Sequence, residues 1–255
     1  MPWDPTVYNQ FRDVRYRPFY DLADMITPES SFEAIDLGCG TGEQTFILSQ
    51  RFPGANFTGV DSSREMLSKS ASYESERLHF ELGTTEDVVT REKKWDLLFS
   101  NAALQWSDDH EYLFPKLLAL LNQNGQFAVQ MPVQTENLLN KLLHVLVNEE
   151  PFVTYLKGWQ RVSPVLSMDQ YAQLLFDHGM KDIHLIQKVY PIIAEDHATL
   201  FNFISGSALV PYVERLDLHE KVPFLERFKE RIAQQFPKLP AIYAFKRLLI
   251  YGRKT

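Results

Sequence analysis

The chain has 255 residues, of which 45% are hydrophobic and 23% charged, an ordinary balance for one large globular domain. Its 26 Lys and Arg residues against 33 Asp and Glu residues give a net charge of −7, which disfavours a dedicated nucleic-acid binder. The single cysteine, Cys39, excludes a disulfide-framed module and a cysteine-rich zinc fold. No run approaches the roughly 18 apolar residues of a membrane span, and the first residues do not resemble a signal peptide. We therefore expect a soluble, cytoplasmic monomer without a metal and with neither nucleic acid nor membrane as a partner.

The first half of the chain predicts alternating strands and helices. Residues 5–26 have an apolar stripe at helical spacing, and Pro18 predicts the start of a second helical piece because proline fits a first turn. Strands are then predicted at 32–37, 57–61, 78–82, 95–100 and 126–131, and helices at 42–51, 63–72 and 110–121. The strands are apolar on both faces and their connections are too long for the hairpins of an α+β protein. This pattern predicts an α/β fold with a doubly wound parallel sheet.

The second half is mostly helical. Helices are predicted in 133–180 and 196–235, with strands at 183–190 and 244–251. Helices inserted between late strands often cover the carboxyl ends of a sheet. We therefore expect a single domain over 1–255 with four parts, namely an N-terminal helical cover (1–30), a cofactor-binding half (31–132) and two helical lid segments (133–180 and 195–240).

A glycine-rich loop follows the first predicted strand. Gly38, Gly40 and Gly42 alternate with other residues just before a helix, so that a ligand can approach the backbone N–H groups at the start of the helix. A dinucleotide fingerprint would need a small residue at position 43, and Glu43 there would face a pyrophosphate. This disfavours a dehydrogenase. Asp61 ends the second strand, where a carboxylate can accept both ribose hydroxyls, so the ligand has a ribose but no diphosphate.

Two segments carry a family resemblance. Residues 36–42 (Asp-Leu-Gly-Cys-Gly-Thr-Gly) and 59–66 (Gly-Val-Asp-Ser-Ser-Arg-Glu-Met) resemble the first two motifs of class I S-adenosylmethionine-dependent methyltransferases. The resemblance implies S-adenosylmethionine as the cofactor and a Rossmann-like, mostly parallel sheet of seven strands. It also implies a cofactor site of Asp36, Gly38 and Gly40 at the methionine end, Asp61 at the ribose and Met66 near the adenine, with Ser62, Thr84 and Asn101 beside them. Thr84 stands where the family usually has an aspartate for the adenine amino group.

The resemblance extends to the trans-aconitate methyltransferase family. Residues 3–8, 99–106 and 128–132 are similar to segments of that family, and the match is good over 3–132 and looser beyond. Because the family esterifies a carboxylate of a small polycarboxylic acid, we expect a small-molecule carboxylate as the substrate. Val210 stands where the family segment carries an arginine before its proline, so we expect a monocarboxylate or a masked diacid to outperform trans-aconitate.

Methyl transfer to a carboxylate needs alignment rather than a general base, since the acceptor is already ionised at pH 7. Tyr8 and Arg15 share one face of the predicted N-terminal helix, so Arg15 could orient the acceptor beside Tyr8, while Arg17 on the other flank could meet the carboxylate of the cofactor. Trp106 follows the fourth strand, and its indole N–H is a candidate donor to the acceptor. His110 is a further candidate donor or base.

Other readings stay open at this point. The aromatic side chains of the helical segments would also fit a larger, less charged acceptor, such as a carrier-bound malonyl group, a fatty acid or a phenol. These side chains are Phe152, Tyr155, Trp159, Phe201, Phe203 and Tyr212. A non-catalytic S-adenosylmethionine-binding protein is the alternative of a different class.

Overall fold

A computed structural model describes residues 12–255, except the side chains of Arg12, Asp13 and Arg15. The chain divides into two compact units. We call the first the sheet unit; it comprises Arg17–Pro132, Pro164–Lys188 and Arg247–Thr255. We call the second the helical unit; it comprises Val133–Ser163 and Val189–Lys246, together with the described residues up to Tyr16.

In the described residues, 12–255, seven strands form a single sheet. They are β1 (Phe32–Leu37), β2 (Ala55–Asp61), β3 (Leu78–Leu82), β4 (Trp95–Asn101), β5 (Leu121–Pro132), β6 (Met180–Ala194) and β7 (Ala241–Lys254). The α-helices are α1 (Arg12–Ala23), α2 (Glu43–Arg51), α3 (Arg64–Leu67), α4 (Thr85–Val88), α5 (His110–Ala119), α6 (Leu138–Val147), α7 (Phe152–Tyr155), α8 (Met168–Asp177), α9 (His197–Ser205), α10 (Val210–Arg215) and α11 (Leu218–Gln235). Two short 3₁₀ turns lie at Ser70–Tyr73 and Leu104–Trp106.

The strand order is β3-β2-β1-β4-β5-β7-β6. Parallel pairs join β1 to β2 and to β4, β2 to β3, and β4 to β5, whereas β7 runs antiparallel to β5. The order reverses between β1 and β4, and such a switch point opens a ligand crevice at the carboxyl ends of the strands. The predicted doubly wound, mostly parallel sheet is confirmed.

The sheet unit is built around strands that are buried on both faces. Phe57, Phe99 and Phe127 on three of the strands are fully buried, as is Trp95 at the start of β4. Apolar residues at consecutive strand positions therefore give a core on each side of the sheet, as expected when helices cover both faces. Each fully buried aromatic or aliphatic side chain contributes roughly 1.5–3 kcal/mol through removal from water.

The helical unit has a core of its own. Phe224, Phe228 and Ile232 lie on one face of α11 at helical spacing and are fully buried, and Tyr243 of β7 packs in the same cluster. Among the helices of the described chain, none is long and apolar enough to cross a membrane.

The structure corrects two local predictions. Pro18 does not begin a new helix but lies inside α1, where Pro18 and its neighbour Phe19 are both buried. The strand predicted at 126–131 begins earlier, at Leu121, and continues through Asn124, which has a φ of +64° where the pairing with β4 shifts register. A bulge of this kind lets a strand continue through residues typical of a turn.

Candidate active site

The glycine loop connects β1 to α2 at the switch point of the sheet. Gly38, Gly40 and Gly42 have φ angles of +73°, +59° and +78°, in the left-handed region that side chains other than glycine rarely adopt. The loop is held by its backbone, since Gly38 N donates to Val60 O at 2.7 Å and Gly42 N donates to Cys39 O at 3.0 Å. The N-cap of α2 is Gly42, which has no side chain to cap the helix, and a helix N-terminus at the end of a glycine loop is a common position for a bound ligand group.

Gly38 also brings the glycine loop against the segment after β4. A Cβ atom placed on Gly38 would lie 2.1 Å from Cβ of Ala103, a distance that atoms cannot share. The preceding residue, Ala102, has a φ of +57°, and such strain in a non-glycine residue concentrates at functional sites. The two segments therefore pack tightly where β1 and β4 end.

Asp61 lies at the end of β2 and faces the glycine loop. Its Oδ2 accepts from Gly40 N at 2.8 Å, and its Oδ1 accepts from Ser63 N at 2.8 Å. A carboxylate has about four lone-pair sites, so two backbone bonds leave room for two ribose hydroxyls. Met66 reaches the same loop, because its Cε would be 3.4 Å from a Cβ on Gly40. Ser62 is exposed between these residues.

Asp36 is the buried acid of the site. It is 3% exposed, and its Oδ2 accepts from the Thr45 hydroxyl at 2.6 Å. Burial raises the pKa of Asp36 to about 7, against the lowering effect of the Thr45 hydrogen bond, and the nearby Asp61 charge raises it further. A cationic group bound beside Asp36 would favour its ionised form.

Cys39 lies between Gly38 and Gly40 and is buried. Its Sγ would be 3.0 Å from a Cβ on Gly59 of β2. Burial and the charges of Asp36 and Asp61 raise the pKa of the thiol, so Cys39 is packed as an apolar residue and is not an activated nucleophile.

The segment after β4 places Asn101 and Trp106. The side chain of Asn101 donates through Nδ2 to Oε1 of Gln44 at 2.9 Å, which connects the end of β4 to the start of α2. Trp106 ends the 3₁₀ turn and is 42% exposed, so its ring lies at the surface of this edge and not in the core. The prediction that Trp106 contacts an acceptor remains open.

His110 is not a surface donor or base, and this candidate role is wrong. The residue is 1% exposed; its Nε2 lies 2.9 Å from Leu104 O and its Nδ1 lies 2.5 Å from the Tyr171 hydroxyl. A carbonyl only accepts, so Nε2 carries the hydrogen and Nδ1 accepts from Tyr171. Burial lowers the pKa of His110, which keeps the ring neutral.

Thr84 and Arg17 are the other described candidates. Thr84 is the N-cap of α4: its Oγ1 accepts from Asp87 N at 3.1 Å, and its N donates to Asp87 Oδ2 at 2.9 Å. Arg17 is exposed on α1. Tyr8 and the side chain of Arg15 fall outside the described part of the chain, so their roles stay predictions.

One buried amide side chain was not among the site residues predicted from the sequence. Gln130 lies near the end of β5 among Ala128, Val129 and Met131, and it is fully buried. The signal was present in the sequence, because a polar side chain within a strand that is apolar on both faces needs either a partner or a ligand.

Comparison with known proteins places this architecture. The family model "Methyltransferase domain" matches residues 28–195. The trans-aconitate 2-methyltransferase of Deinococcus radiodurans is 40% identical over 100% of this chain and 99% of its own length. The chain belongs to the methyltransferase family. The resemblance to class I S-adenosylmethionine-dependent methyltransferases is thereby confirmed, and the dehydrogenase reading is excluded.

Two solved structures share the fold of this methyltransferase. The YcgJ protein of Bacillus subtilis matches with a TM-score of 0.61 and 15% identity, covering 94% of this chain and 98% of that chain. Phosphoethanolamine N-methyltransferase 2 of Haemonchus contortus, in complex with S-adenosyl-L-methionine, matches with a TM-score of 0.56 and 16% identity, covering 93% of this chain and 52% of that chain. The cofactor of this methyltransferase is S-adenosylmethionine.

Proposed function

We propose that this methyltransferase esterifies one carboxylate of trans-aconitate, yielding the methyl ester and S-adenosylhomocysteine. The observation that carries the proposal is the full-length match, at 40% identity, to a relative named trans-aconitate 2-methyltransferase. The match covers 100% of this chain and 99% of the relative, so it is not confined to the part of the chain that the methyltransferase family model matches. The other acceptor classes have no comparable support.

The cofactor would be held by the carboxyl edges of β1, β2 and β4. S-adenosylmethionine supplies an electrophilic methyl group on a sulfonium. The proposed cofactor-binding residues are Arg17, Asp36, Gly38, Gly40, Asp61, Ser62, Met66, Thr84 and Asn101. Among these, Asp61 has the clearest geometry, because both its oxygens are oriented by backbone N–H groups and retain capacity for the ribose.

The acceptor needs no proton removed. A carboxylate with a pKa near 4 is ionised at neutral pH, so the protein must orient it, exclude water and hold its oxygen in line with the methyl group, which can contribute roughly 7–11 kcal/mol. We assign this positioning to Tyr8, Arg15 and Trp106. The burial of His110 supports a mechanism without a base, since both of its ring nitrogens are already bonded.

Val210 favours a second candidate acceptor. It is the first residue of α10 and is half-buried, and it supplies no cation where the family segment carries an arginine. If that arginine is the main clamp for a second carboxylate in relatives, this chain would prefer a monocarboxylate.

A comparison of kcat/KM for the candidate acceptors distinguishes them. Purified protein and methyl-labelled S-adenosylmethionine are incubated with trans-aconitate, fumarate or crotonate, and base-labile methyl ester is quantified for kcat/KM. We expect trans-aconitate to give the highest value. A higher value for crotonate would establish the monocarboxylate instead. Binding of S-adenosylmethionine without turnover of any carboxylate, or transfer to a phenol, would overturn the proposal.

A further inference from the structure

Two glutamines on β5 are equally buried but differ in their hydrogen-bond partners. Gln126 and Gln130 are four residues apart, so both side chains lie on the same face of the strand, and they are 1% and 0% exposed. The amide of Gln126 is fully used: Oε1 accepts from Thr27 N at 2.8 Å and from the Tyr251 hydroxyl at 2.9 Å, and Nε2 donates to Thr27 O at 2.9 Å. Gln126 therefore has an evident structural role.

Gln130 has no such role. Within residues 12–255 as described, neither its Nε2 nor its Oε1 has a hydrogen-bond partner. A buried amide without partners has lost its hydrogen bonds to water and forms none in the protein, which costs free energy. Such groups are therefore rare in native proteins. An apolar residue would fill the position at lower cost, which points to a ligand as the missing partner.

The position of Gln130 in the sheet indicates which ligand. Gln130 is paired in register with Asn101, so both stand at the carboxyl ends of neighbouring parallel strands. The Oδ1 of Asn101 is also buried and has no partner in the described structure, while its Nδ2 bonds Gln44 at the start of α2. Two amides with unused capacity thus meet at the edge of the sheet that also carries the glycine loop.

Strand order separates this place from the adenosine end of the cofactor. The glycine loop follows β1 and Asp61 ends β2, whereas β5 lies on the opposite side of β4 in the order β2-β1-β4-β5. A ligand group at Gln130 is therefore on the side of β4 away from the ribose. The proposed adenosine contacts do not extend to that side, so it is available to the methyl acceptor, the other substrate of the transfer.

We propose that Gln130 binds the acceptor, with its Nε2 donating to a carboxylate oxygen. This inference rests on the proposed function. An amide suits the task because its Nε2 carries two hydrogens and can orient a carboxylate oxygen without adding a further charge at the reacting group. The Oε1 would accept from ordered water admitted with the acceptor.

The experiment compares Gln130→Leu with the matched control Gln126→Leu. For Gln130→Leu we expect kcat/KM for trans-aconitate to fall roughly 10- to 150-fold, the range for losing a hydrogen bond to a charged group. The Kd for S-adenosylhomocysteine should change less than twofold and the Tm should not fall. Gln126→Leu should lower the Tm and leave kcat/KM of the folded protein within about twofold. Gln130→Met, which matches the length of glutamine, should repeat the kinetic loss.

Several results would overturn the inference. Turnover within twofold of the parent would show that Gln130 does not bind the acceptor. A parallel loss of S-adenosylhomocysteine affinity would assign the amide to the cofactor, and a fall in Tm like that of Gln126→Leu would assign it to the fold. The parent protein is assayed with trans-aconitate beside the variants, so failure of the proposed function appears as an inactive parent and is distinct from these outcomes.

Discussion

The Nδ1 of His110, the first residue of α5, lies 2.5 Å from the hydroxyl of Tyr171 on α8. The same ring bonds Leu104 O through Nε2, so one buried imidazole connects α8 to the 3₁₀ turn that ends at Trp106. The Tyr171 hydroxyl in turn accepts from Leu166 N at 3.3 Å. This connection is a structural brace between α5, α8 and the 3₁₀ turn that follows β4.

Removal of the Tyr171 hydroxyl should loosen that brace. Tyr171→Phe leaves Nδ1 of His110 buried without its donor, which should cost about 1–3 kcal/mol of unfolding free energy. Urea unfolding measures the loss. Tyr112→Phe is the control, because Tyr112 lies on α5 with His110 but is 62% exposed, and its variant should change stability by less than about 0.5 kcal/mol. Equal effects of the two variants would mean that the bond to His110 contributes nothing.

Asp61 should be required for cofactor affinity. We expect Asp61→Ala to weaken S-adenosylmethionine binding by about 1.5–3 kcal/mol, because hydrogen bonds to a charged group are lost. Calorimetry gives the Kd. Asp96→Ala is a matched control: Asp96 on β4 also accepts from a backbone N–H, that of Glu33 at 2.9 Å, and from Asn122 Nδ2 at 2.6 Å. Asp96→Ala should affect stability only, and an unchanged Kd in Asp61→Ala would refute the ribose assignment.

Asp36 should make the cofactor-free protein less stable as the pH rises. The folded pKa, about 7, lies above the ordinary value of 3.8, so the protonated form is favoured by folding. The stabilisation is complete below pH ~4 and is lost as the pH rises through 7. Asp36→Asn should therefore match the parent near pH 4.5 and exceed it by on the order of a few kcal/mol at pH 8. Urea unfolding at a series of pH values tests this, and a difference that does not vary with pH would contradict it.

Substitution of Gly38 should destabilise the protein by more than the cost of its positive φ angle alone. Gly38→Ala introduces both a left-handed alanine and a contact of 2.1 Å with Ala103, whereas Gly158→Ala introduces a φ of +70° with nothing described within 4 Å. The backbone cost alone is about 1 kcal/mol, which Gly158→Ala should show. We expect a larger fall in Tm for Gly38→Ala and a cofactor affinity reduced at least about tenfold. Similar Tm values for the two variants would mean that the glycine loop can move away from Ala103 at no cost in stability.

The sequence predicted the elements that depend on local pattern. The first four strands were located to within two residues, because runs that are apolar on both faces are distinctive. Helix α1 differs because the buried side chains of Pro18 and Phe19 outweigh the preference of proline for a first turn. Strand β5 begins earlier than predicted because a bulge at Asn124 is decided by its partner β4.

The candidate site, like the strands, could be predicted only where a local sequence pattern indicates it. The glycine loop and Asp61 end two consecutive strands, so their spacing in the sequence indicates a ligand site. The burial of His110 depends on Tyr171, and the pairing of Gln130 with Asn101 depends on strand register. Neither relationship is encoded within a short window, so reasoning from local pattern could not supply it.

The packing of Cys39 gives the protein a native reporter. It is the only cysteine of the chain, it lies between Gly38 and Gly40 of the glycine loop and it is buried. A thiol reagent can reach it only when the loop opens, and no other thiol contributes background. The alkylation rate of the unmodified protein therefore reports on opening of the glycine loop, and a lower rate with S-adenosylmethionine present would show that the bound cofactor stabilises the closed loop.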